Sequence, residues 1–312
     1  MTGQDASAPQ PSARARELVR GAFDTHVHSA PDVVPRRIDD LQLAQRMNEV
    51  GLAGYVIKSH YVPTSARARL ANAAVGGARV IGSVTLNAVC GGMSAMAVEL
   101  AAREGGRFVW MPTVDSENEQ KNMGGGSEAS KLPVWVKLQQ EMRALGVRVE
   151  AVRVLDTAGQ VLPEVRQVLR RIAQHDMVLA TGHLDRNEIF AVTAAAFEEG
   201  VNSVVITHPD FPTQNLSVED QQALAQQGAY LERCFAVINK GKISWEKTCE
   251  YIRATGVASN VISTDLGQQA GPPVEDGLAV AADNLLAGGF SEEEVRTMIV
   301  TNSRKLALGA EA

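Results

Sequence analysis

Short apolar segments alternate with amphipathic segments along most of the chain, and this alternation most constrains its fold. From residue 15 onward, apolar runs with the length of β-strands are separated by longer stretches with helical hydrophobic spacing. Several of these stretches end at a glycine suited to a left-handed C-terminal cap, for example Gly51 and Gly200. Such alternation is typical of parallel strands joined by helical crossovers. A chain of this length is enough for a (β/α)8 barrel, which needs about 250 residues.

The segmentation predicts one strand more than a barrel needs. Strands are expected at 22–28, 53–60, 79–86, 107–114, 148–155, 177–183, 203–208, 229–235 and 259–265. Helices are expected at 38–50, 64–75, 92–104, 161–175, 186–199, 217–227 and 243–255. We assign 148–155 as the accessory strand, because a turn follows it and interrupts the usual spacing. A doubly wound open sheet is the alternative fold, but no Gly-x-Gly-x-x-Gly follows the first strand.

The domain organisation is predicted to be a single barrel, 15–312, preceded by a disordered tail. Residues 1–14 are rich in Ser, Ala, Pro and Gln and contain no apolar core. The segment 115–133 is the one long irregular stretch, with three consecutive glycines and a proline. Because it follows a strand, we expect a mobile lid over the active-site face, and an insertion without a role is the alternative.

Composition narrows the class of protein. The chain has 312 residues, of which 45% are hydrophobic, so one sizeable core is expected. A net charge of −6 without a basic run argues against nucleic acid or an anionic membrane as a partner. The three cysteines are unclustered, and no segment is long and apolar enough to span a bilayer. We therefore expect a soluble cytoplasmic protein with a small-molecule substrate. A barrel of this size is also compatible with a homo-oligomer.

The histidines mark the expected active-site end of the barrel. Five of the six lie at or near the C-terminal end of a predicted strand, namely His26, His28, His60, His183 and His208. Side chains alternate along a strand, so the first two share a face. An isolated His-x-His fits two packing side chains equally well. Because the strand ends of a barrel converge on one face, however, the five together favour a divalent-cation site at His26 and His28, and His60 is a candidate substrate-binding residue on the same face.

Three charged side chains in the predicted strands extend this prediction. Asp265 ends the last apolar strand, where its carboxylate could bind a metal and take a proton from water, or cap the next helix. Lys58 has the parity of His60 and is predicted as an electrostatic clamp for an anionic substrate, as a carboxylated bridge between two cations, or as a lysine that reaches solvent. Glu232, on the penultimate strand, is a further substrate-binding candidate at the barrel mouth, or a partner of Arg233 or of another nearby base.

The loop after the first strand offers two adjacent arginines. Arg36 and Arg37 could bind a substrate carboxylate bidentately. A solvated helix start, in which Asp39 and Asp40 balance their charge, is the alternative.

The ordered set formed by His26-x-His28, His183, His208 and Asp265 resembles the amidohydrolase superfamily of metal-dependent hydrolases over most of the chain. The resemblance implies a distorted (β/α)8 barrel in which His26 and His28 bind a first metal with Asp265. It further implies that His183 and His208 bind a second metal or orient the substrate, and that Asp265 is the acid and base for the attacking water. Zinc is the first expectation, as one or two ions, with manganese, iron or nickel as alternatives.

The chain departs from the superfamily at one place. Most binuclear members carry a carboxylated lysine or a glutamate on the fourth strand, whereas the predicted fourth strand, 107–114, has neither. Either Lys58 or Glu232 replaces that ligand, or the site holds a single metal. Since no substrate-specific motif is recognisable, the resemblance points to a poorly characterised branch.

These features predict an enzyme that hydrolyses an amide, lactone or ester bond in a small, carboxylated molecule. Asp265 would move the proton of the attacking water, and His208 or His183 would stabilise the oxyanion if it is not a ligand. The alternative enzyme is a single-metal, non-oxidative decarboxylase of an aromatic or unsaturated carboxylic acid, favoured by the missing fourth-strand ligand and by the two arginines. A metal-binding scaffold without chemistry is a third hypothesis, and the strand-end acid argues against it.

Overall fold

The computed structural model describes residues 10–122, 134–147 and 150–309. Within them, eight parallel strands pair in sequence order, each with its neighbour along the chain. The strands are β1 (Phe23–Val27), β2 (Gly54–Ile57), β3 (Arg79–Thr85), β4 (Gly106–Trp110), β5 (Val178–Ala180), β6 (Ser203–Ile206), β7 (Tyr230–Cys234) and β8 (Asn260–Ser263). This order excludes the doubly wound sheet and confirms the (β/α)8 barrel.

Helices connect the strands at positions close to those predicted. They are α1 (Ala13–Leu18), α2 (Asp40–Val50), α3 (Ser65–Ala74), α4 (Ala95–Arg103), α5 (Glu117–Asn122), α6 (Val134–Ala144), α7 (Pro163–Gln174), α8 (Arg186–Glu198), α9 (Val218–Gln226), α10 (Phe235–Asn239), α11 (Trp245–Thr255), α12 (Val274–Ala287), α13 (Glu292–Arg296) and α14 (Asn302–Leu308). Short 3-10 turns cover Ala88–Cys90 and Val257–Ser259, and a π-helical turn covers Thr297–Thr301. None of the described helices is long and apolar enough to cross a membrane.

The barrel closes where the end of β8 meets β1. The Asp265 N–H donates to the His26 carbonyl at 2.8 Å, and the His28 N–H donates to the Leu266 carbonyl at 2.8 Å. Gly267 follows with φ +124°, and a Cβ at this residue would overlap the His28 carbonyl oxygen. Only glycine fits this close approach, so the closure brings the end of β8 directly beside the first two histidines.

A buried carboxylate ties the same two strands together below the closure. Asp24 accepts the Thr264 N–H at 3.0 Å and the Thr264 hydroxyl at 2.6 Å. Burial raises the pKa of Asp24 to about 7, although the hydrogen bonds from Thr264 act in the opposite direction. The carboxyl group of Asp24 thus joins β1 to β8.

Both faces of the strands are buried, which explains their continuous apolar runs. Side chains that include Val56, Phe108, Trp110 and Val261 form one core cluster with the start of β1 and the end of α14. Two larger clusters pack strand residues against the surrounding helices. The strands are therefore held in place on both sides, and their C-terminal ends form a rigid support for a site.

The accessory assignment of 148–155 is confirmed for its described residues. Val152 makes a single bridge to Ser116 and Leu155 makes one to Val161, and neither joins the barrel. Residues 13 and 14 of the expected tail belong to α1, while 1–9 lie outside the described residues. Helix α5 occupies part of the expected lid, and 123–133 lie outside the described residues, so its mobility stays a prediction.

Candidate metal centre

The five strand-end histidines meet in a closed ring at the C-terminal end of the barrel. His26 lies in β1 and His28 directly after it, while His60, His183 and His208 follow β2, β5 and β6. Going round the ring from His26 to His28, His60, His183, His208 and back, neighbouring ring centroids are 5.5, 5.1, 6.0, 5.0 and 6.3 Å apart. Each of these five residues is buried, with 9% exposure at most. The sixth histidine, His175, pairs instead with Glu99 at 2.7 Å.

Asp265 joins two of these imidazoles. Its Oδ1 lies 3.2 Å from His26 Nε2 and 3.1 Å from His28 Nε2. Burial alone would raise the pKa of Asp265, but its interactions with the two histidines hold the pKa well below its usual value. The residue has φ +51°, an uncommon conformation for aspartate that turns the chain at the end of β8. A charged carboxylate oxygen and two imidazole nitrogens therefore converge on one point.

Most of the ring is uncharged. Burial lowers the pKa of His28 and of His60 well below the usual value, and the nearby cations Arg36 and Lys58 act in the same direction. Burial also lowers the pKa of His208, to about 3. Neutral imidazoles keep a lone pair on one ring nitrogen, which is the form that binds a metal or accepts a hydrogen bond.

Lys58 is buried within this ring. Its side chain is 1% exposed, its Nζ lies 2.9 Å from His26 Nε2, and it lies 5.4 Å from the centroid of the Trp110 ring. The alternative that this lysine reaches solvent is therefore wrong, because the core leaves it no path outward. Burial lowers its pKa, whereas the carboxylates of Asp265 and Glu232 raise it. Lys58 thus donates to the same His26 nitrogen that contacts Asp265.

Glu232 lies on the other side of His26. Its Oε1 is 3.1 Å from His26 Nδ1 and accepts a hydrogen bond from the Ser263 hydroxyl at 2.8 Å. Its Oε2 accepts a hydrogen bond from the backbone N–H of His208 at 3.3 Å. Burial raises the pKa of Glu232, but the interactions with His26 and His208 and the hydrogen bond from Ser263 together outweigh it and bring the pKa to about 2. Its predicted pairing with Arg233 is not formed, because that guanidinium pairs with Asp210 at 2.7 Å. Glu232 therefore holds the proton of His26 on Nδ1 and leaves Nε2 as the donor atom.

Two groups of side chains have the donor set of a cation site. The ligand atoms of His26, His28 and Asp265 lie within 4.8 Å of one another, as do those of His26, Glu232 and Cys234. The first group combines two imidazoles with a strand-end carboxylate and fits a borderline divalent ion such as Zn²⁺. In the second group, burial raises the pKa of the Cys234 thiol well above its usual value, which disfavours the thiolate that would bind. The donor set thus favours the first group.

The two predicted arginines have different partners. Arg36 is 6% exposed at its side chain and pairs with Asp32 through Nε at 2.8 Å and Nη2 at 2.7 Å. The positive charge of Arg36 contributes to the lowered pKa of His28. Arg37 instead donates to the Gly271 carbonyl at 2.6 Å, in the loop after β8. The structure thus pairs Arg36 with Asp32 and ties Arg37 to the loop after β8.

Sequence reasoning missed one carboxylate of the site. Glu119, on α5, is 4% exposed, and its Oε1 lies 3.1 Å from His183 Nδ1 and accepts the Thr213 hydroxyl at 2.8 Å. The Asn118 side chain holds the same helix in place by donating to the His183 and Thr213 carbonyls. The residue lies nine positions beyond the end of β4, within the segment interpreted only as a lid. The acidic first turn of that helix was the available signal.

Comparison with known proteins confirms the fold. The chain is similar to a crystal structure of an amidohydrolase from Pseudomonas aeruginosa, with 14% identity, a TM-score of 0.59 and coverage of 94% of this chain and 99% of that one. It is also similar to a candidate 2-pyrone-4,6-dicarboxylic acid hydrolase from Pseudomonas putida, with 15% identity, a TM-score of 0.53 and coverage of 92% and 97%. An amidohydrolase from Burkholderia multivorans, with bound HEPES, gives 11% identity, a TM-score of 0.53 and coverage of 92% and 98%.

Sequence comparison identifies a family but no relative of known activity. A model of a family of unknown function matches residues 21–232. No curated protein is significantly similar to the chain in sequence. The structural likenesses confirm the (β/α)8 barrel, and the family match names no activity.

Proposed function

The chain belongs to DUF6282, a family of unknown function, and we propose from its site that it is a metal-dependent hydrolase. The reaction proposed is cleavage of an amide, lactone or ester bond in a small, carboxylated molecule by an activated water. The observation that carries this proposal is the single Asp265 oxygen shared between His26 Nε2 and His28 Nε2, at 3.2 and 3.1 Å. This arrangement offers two imidazole nitrogens as ligands and a proton acceptor at one point.

The proposed roles follow from these contacts. His26 and His28 would hold a divalent cation with Asp265, and such a cation would polarise the scissile carbonyl and lower the pKa of water. Asp265, kept as a carboxylate by its surroundings, would accept the proton of the attacking water and deliver it to the leaving group. His183 and His208 would bind a second cation or donate to the oxyanion, as predicted from the sequence.

The charges of the site link the number of cations to the state of Lys58. Three carboxylates, those of Asp265, Glu232 and Glu119, lie at or directly behind the histidine ring and have lowered pKa values. One divalent cation would neutralise them if Lys58 is an ammonium. Two divalent cations would do so if Lys58 is a carboxylated, anionic bridge. We favour one cation, because the Lys58 amine already donates to His26 Nε2.

The substrate class is proposed on two grounds. The cationic side chain of Arg36 lies near the ring and would attract a carboxylate of the substrate. The name of the similar Pseudomonas putida protein describes hydrolysis of a cyclic ester that carries two carboxylates, which is a lactone of this class. A soluble cytoplasmic location and a zinc ion remain parts of the proposal.

The experiment that tests this function replaces Asp265 by asparagine. Asp265→Asn removes the proton acceptor but keeps the shape of the side chain, so turnover should fall by about 10²–10⁴-fold while zinc remains bound through the two histidines. Wild type and variant are assayed with a panel of lactones, esters, amides and aromatic acids, and zinc is measured by elemental mass spectrometry.

A matched variant controls for the loss of a carboxylate elsewhere. Asp185 caps α8 by accepting the Glu188 N–H, and asparagine caps helices equally well. Asp185→Asn should therefore leave both activity and zinc content unchanged. Full activity in Asp265→Asn would contradict the mechanism. Release of carbon dioxide from an acid, without hydrolysis of any ester, lactone or amide, would establish the decarboxylase instead.

A further inference from the structure

The side chain of Asn87 has one orientation because of the backbone groups beside it. It is fully buried, and its Oδ1 lies 2.8 Å from the Thr113 N–H and 3.4 Å from the Asp115 N–H. A backbone N–H can only donate, so this atom must be the amide oxygen. The Nδ2 group is therefore the donor, and it donates to the His60 carbonyl and to Thr113 Oγ1, each at 2.8 Å.

This orientation determines where the Thr113 hydroxyl donates. Thr113 is fully buried, and its oxygen already accepts an N–H from Asn87. Its own hydrogen has one acceptor among the described residues, His60 Nδ1, at 2.8 Å. Leaving a buried hydroxyl hydrogen unpaired would cost free energy. Thr113 therefore donates to His60 Nδ1, and the neutral imidazole must carry its proton on Nε2.

His60 thereby differs from His26. The Glu232 carboxylate is hydrogen-bonded to His26 Nδ1 at 3.1 Å. This carboxylate holds the proton on Nδ1 and leaves a lone pair on Nε2, as a metal ligand requires. A hydroxyl donor at the same atom of His60 has the opposite effect. Nε2 of His60 forms no hydrogen bond to any residue in the described ranges, so its N–H is available to a ligand.

We propose that His60 is a substrate-binding hydrogen-bond donor rather than a metal ligand. Thr113 and Asn87 hold it as the Nε2–H tautomer, and it donates this N–H to the oxygen of the substrate carbonyl where negative charge develops. The centroid of its ring lies 5.1 Å from that of His28 and 6.0 Å from that of His183, so the imidazole of His60 is part of the same site. The role in substrate binding depends on the hydrolase function proposed above, whereas the tautomer does not.

The tautomer is measured by NMR on protein with ¹⁵N-labelled histidine. Two-bond proton–nitrogen correlations distinguish protonated from unprotonated ring nitrogens, and loss of signals in His60→Gln identifies the residue. We expect a protonated Nε2 and an unprotonated Nδ1 in wild type. Thr113→Val removes the hydroxyl and should shift His60 toward the Nδ1–H tautomer. Thr193→Val is the matched control, because Thr193 is equally buried and its hydroxyl has no partner. A protonated Nδ1 in wild type would overturn the assignment.

The metal arm uses the same labelled protein loaded with ¹¹³Cd²⁺. Coupling between cadmium and ring nitrogens is expected for His26 and His28 and not for His60. Coupling at His60 would overturn the inference. Absence of coupling at His26 and His28 would count against the proposed metal site and leave the tautomer result standing, so the two failures are distinguishable.

The ligand arm uses methylphosphonate, a tetrahedral anion with the oxygen arrangement of a hydrolytic transition state. Calorimetric titration of the zinc-loaded protein should show about 10-fold weaker binding to His60→Gln than to wild type, since a hydrogen bond to a charged oxygen is lost. Both proteins should contain the same amount of zinc. Equal affinities, including undetectable binding to both, would overturn the assignment of this N–H to the ligand, and loss of zinc from His60→Gln would show that it is a metal ligand.

Discussion

Replacing Lys58 by methionine is expected to tighten zinc binding, because the ammonium and the metal compete for one nitrogen. Lys58 Nζ lies 2.9 Å from His26 Nε2. A zinc ion bound to that nitrogen would be about 2.0–2.1 Å from it, so the two cations would be at most about 5 Å apart. Methionine keeps the length and apolar body of the side chain and removes both the charge and the donor.

The size of the effect follows from this separation. At an effective dielectric constant of about 20, a single and a double positive charge about 5 Å apart repel by about 7 kcal/mol. Because its pKa is lowered, part of Lys58 can be a neutral amine, which does not repel zinc. Zinc binding must still break the hydrogen bond from this amine to His26, which costs about 1 kcal/mol. We therefore expect zinc to bind at least about 10-fold more tightly to Lys58→Met than to wild type, with one zinc per chain in both.

The assay is competition for zinc against a chromophoric chelator at constant pH, with stoichiometry from elemental mass spectrometry and with or without added bicarbonate. Lys247→Met is the matched control, since that side chain is 51% exposed and pairs with Glu250. Weaker zinc binding in Lys58→Met, or a fall from two ions to one that depends on bicarbonate, would refute the reasoning. That result would establish Lys58 as a carboxylated metal ligand.

Two further predictions concern the closure of the barrel. Burial raises the pKa of Asp24 from 3.8 in the unfolded chain to about 7, so its contribution to stability is complete below pH 3.8 and is lost as the pH rises through 7. Between pH 5 and pH 8 the free energy of unfolding of the wild type, measured by urea denaturation, should fall by about 3 kcal/mol more than that of Asp24→Asn. If the free energy of unfolding changes equally with pH in both proteins, Asp24 is not responsible. Gly159→Ala is the control, because Gly159 also has positive φ but has no atom within 4 Å of an added Cβ, so the substitution should cost about 1 kcal/mol of strain. Gly267→Ala should prevent folding or destabilise the protein several times more than this control. Similar melting temperatures for the two alanine variants would contradict the close approach to the His28 carbonyl.

The barrel could be predicted from local sequence patterns. Strand and helix periodicities are short-range properties, and each occurs within a stretch of fewer than twenty residues. The choice of 148–155 as the accessory segment also depended on local spacing, and Val152 indeed lies outside the barrel. The strand-end position of the five histidines then followed, because every parallel strand of such a barrel ends on the same face.

The roles of the site residues required the tertiary structure. Glu119 was missed because it approaches His183 from a helix beyond the end of β4, and no local spacing relates the two residues. Lys58 was left with three alternatives because burial of a long side chain depends on what packs around it, here Trp110 and His26.

The sequence by itself determined the fold and the side chains that the strand ends bring to the barrel mouth, since both depend on periodicity along the chain. Only the tertiary structure decided what each imidazole can do. The proton of a neutral histidine lies on the nitrogen whose partner accepts it, and that partner comes from a distant segment. For His26 the partner is Glu232, 206 residues away, and for His60 it is a hydroxyl donor, Thr113, 53 residues away. A carboxylate in one place and a hydroxyl in the other give identical side chains opposite hydrogen-bonding roles.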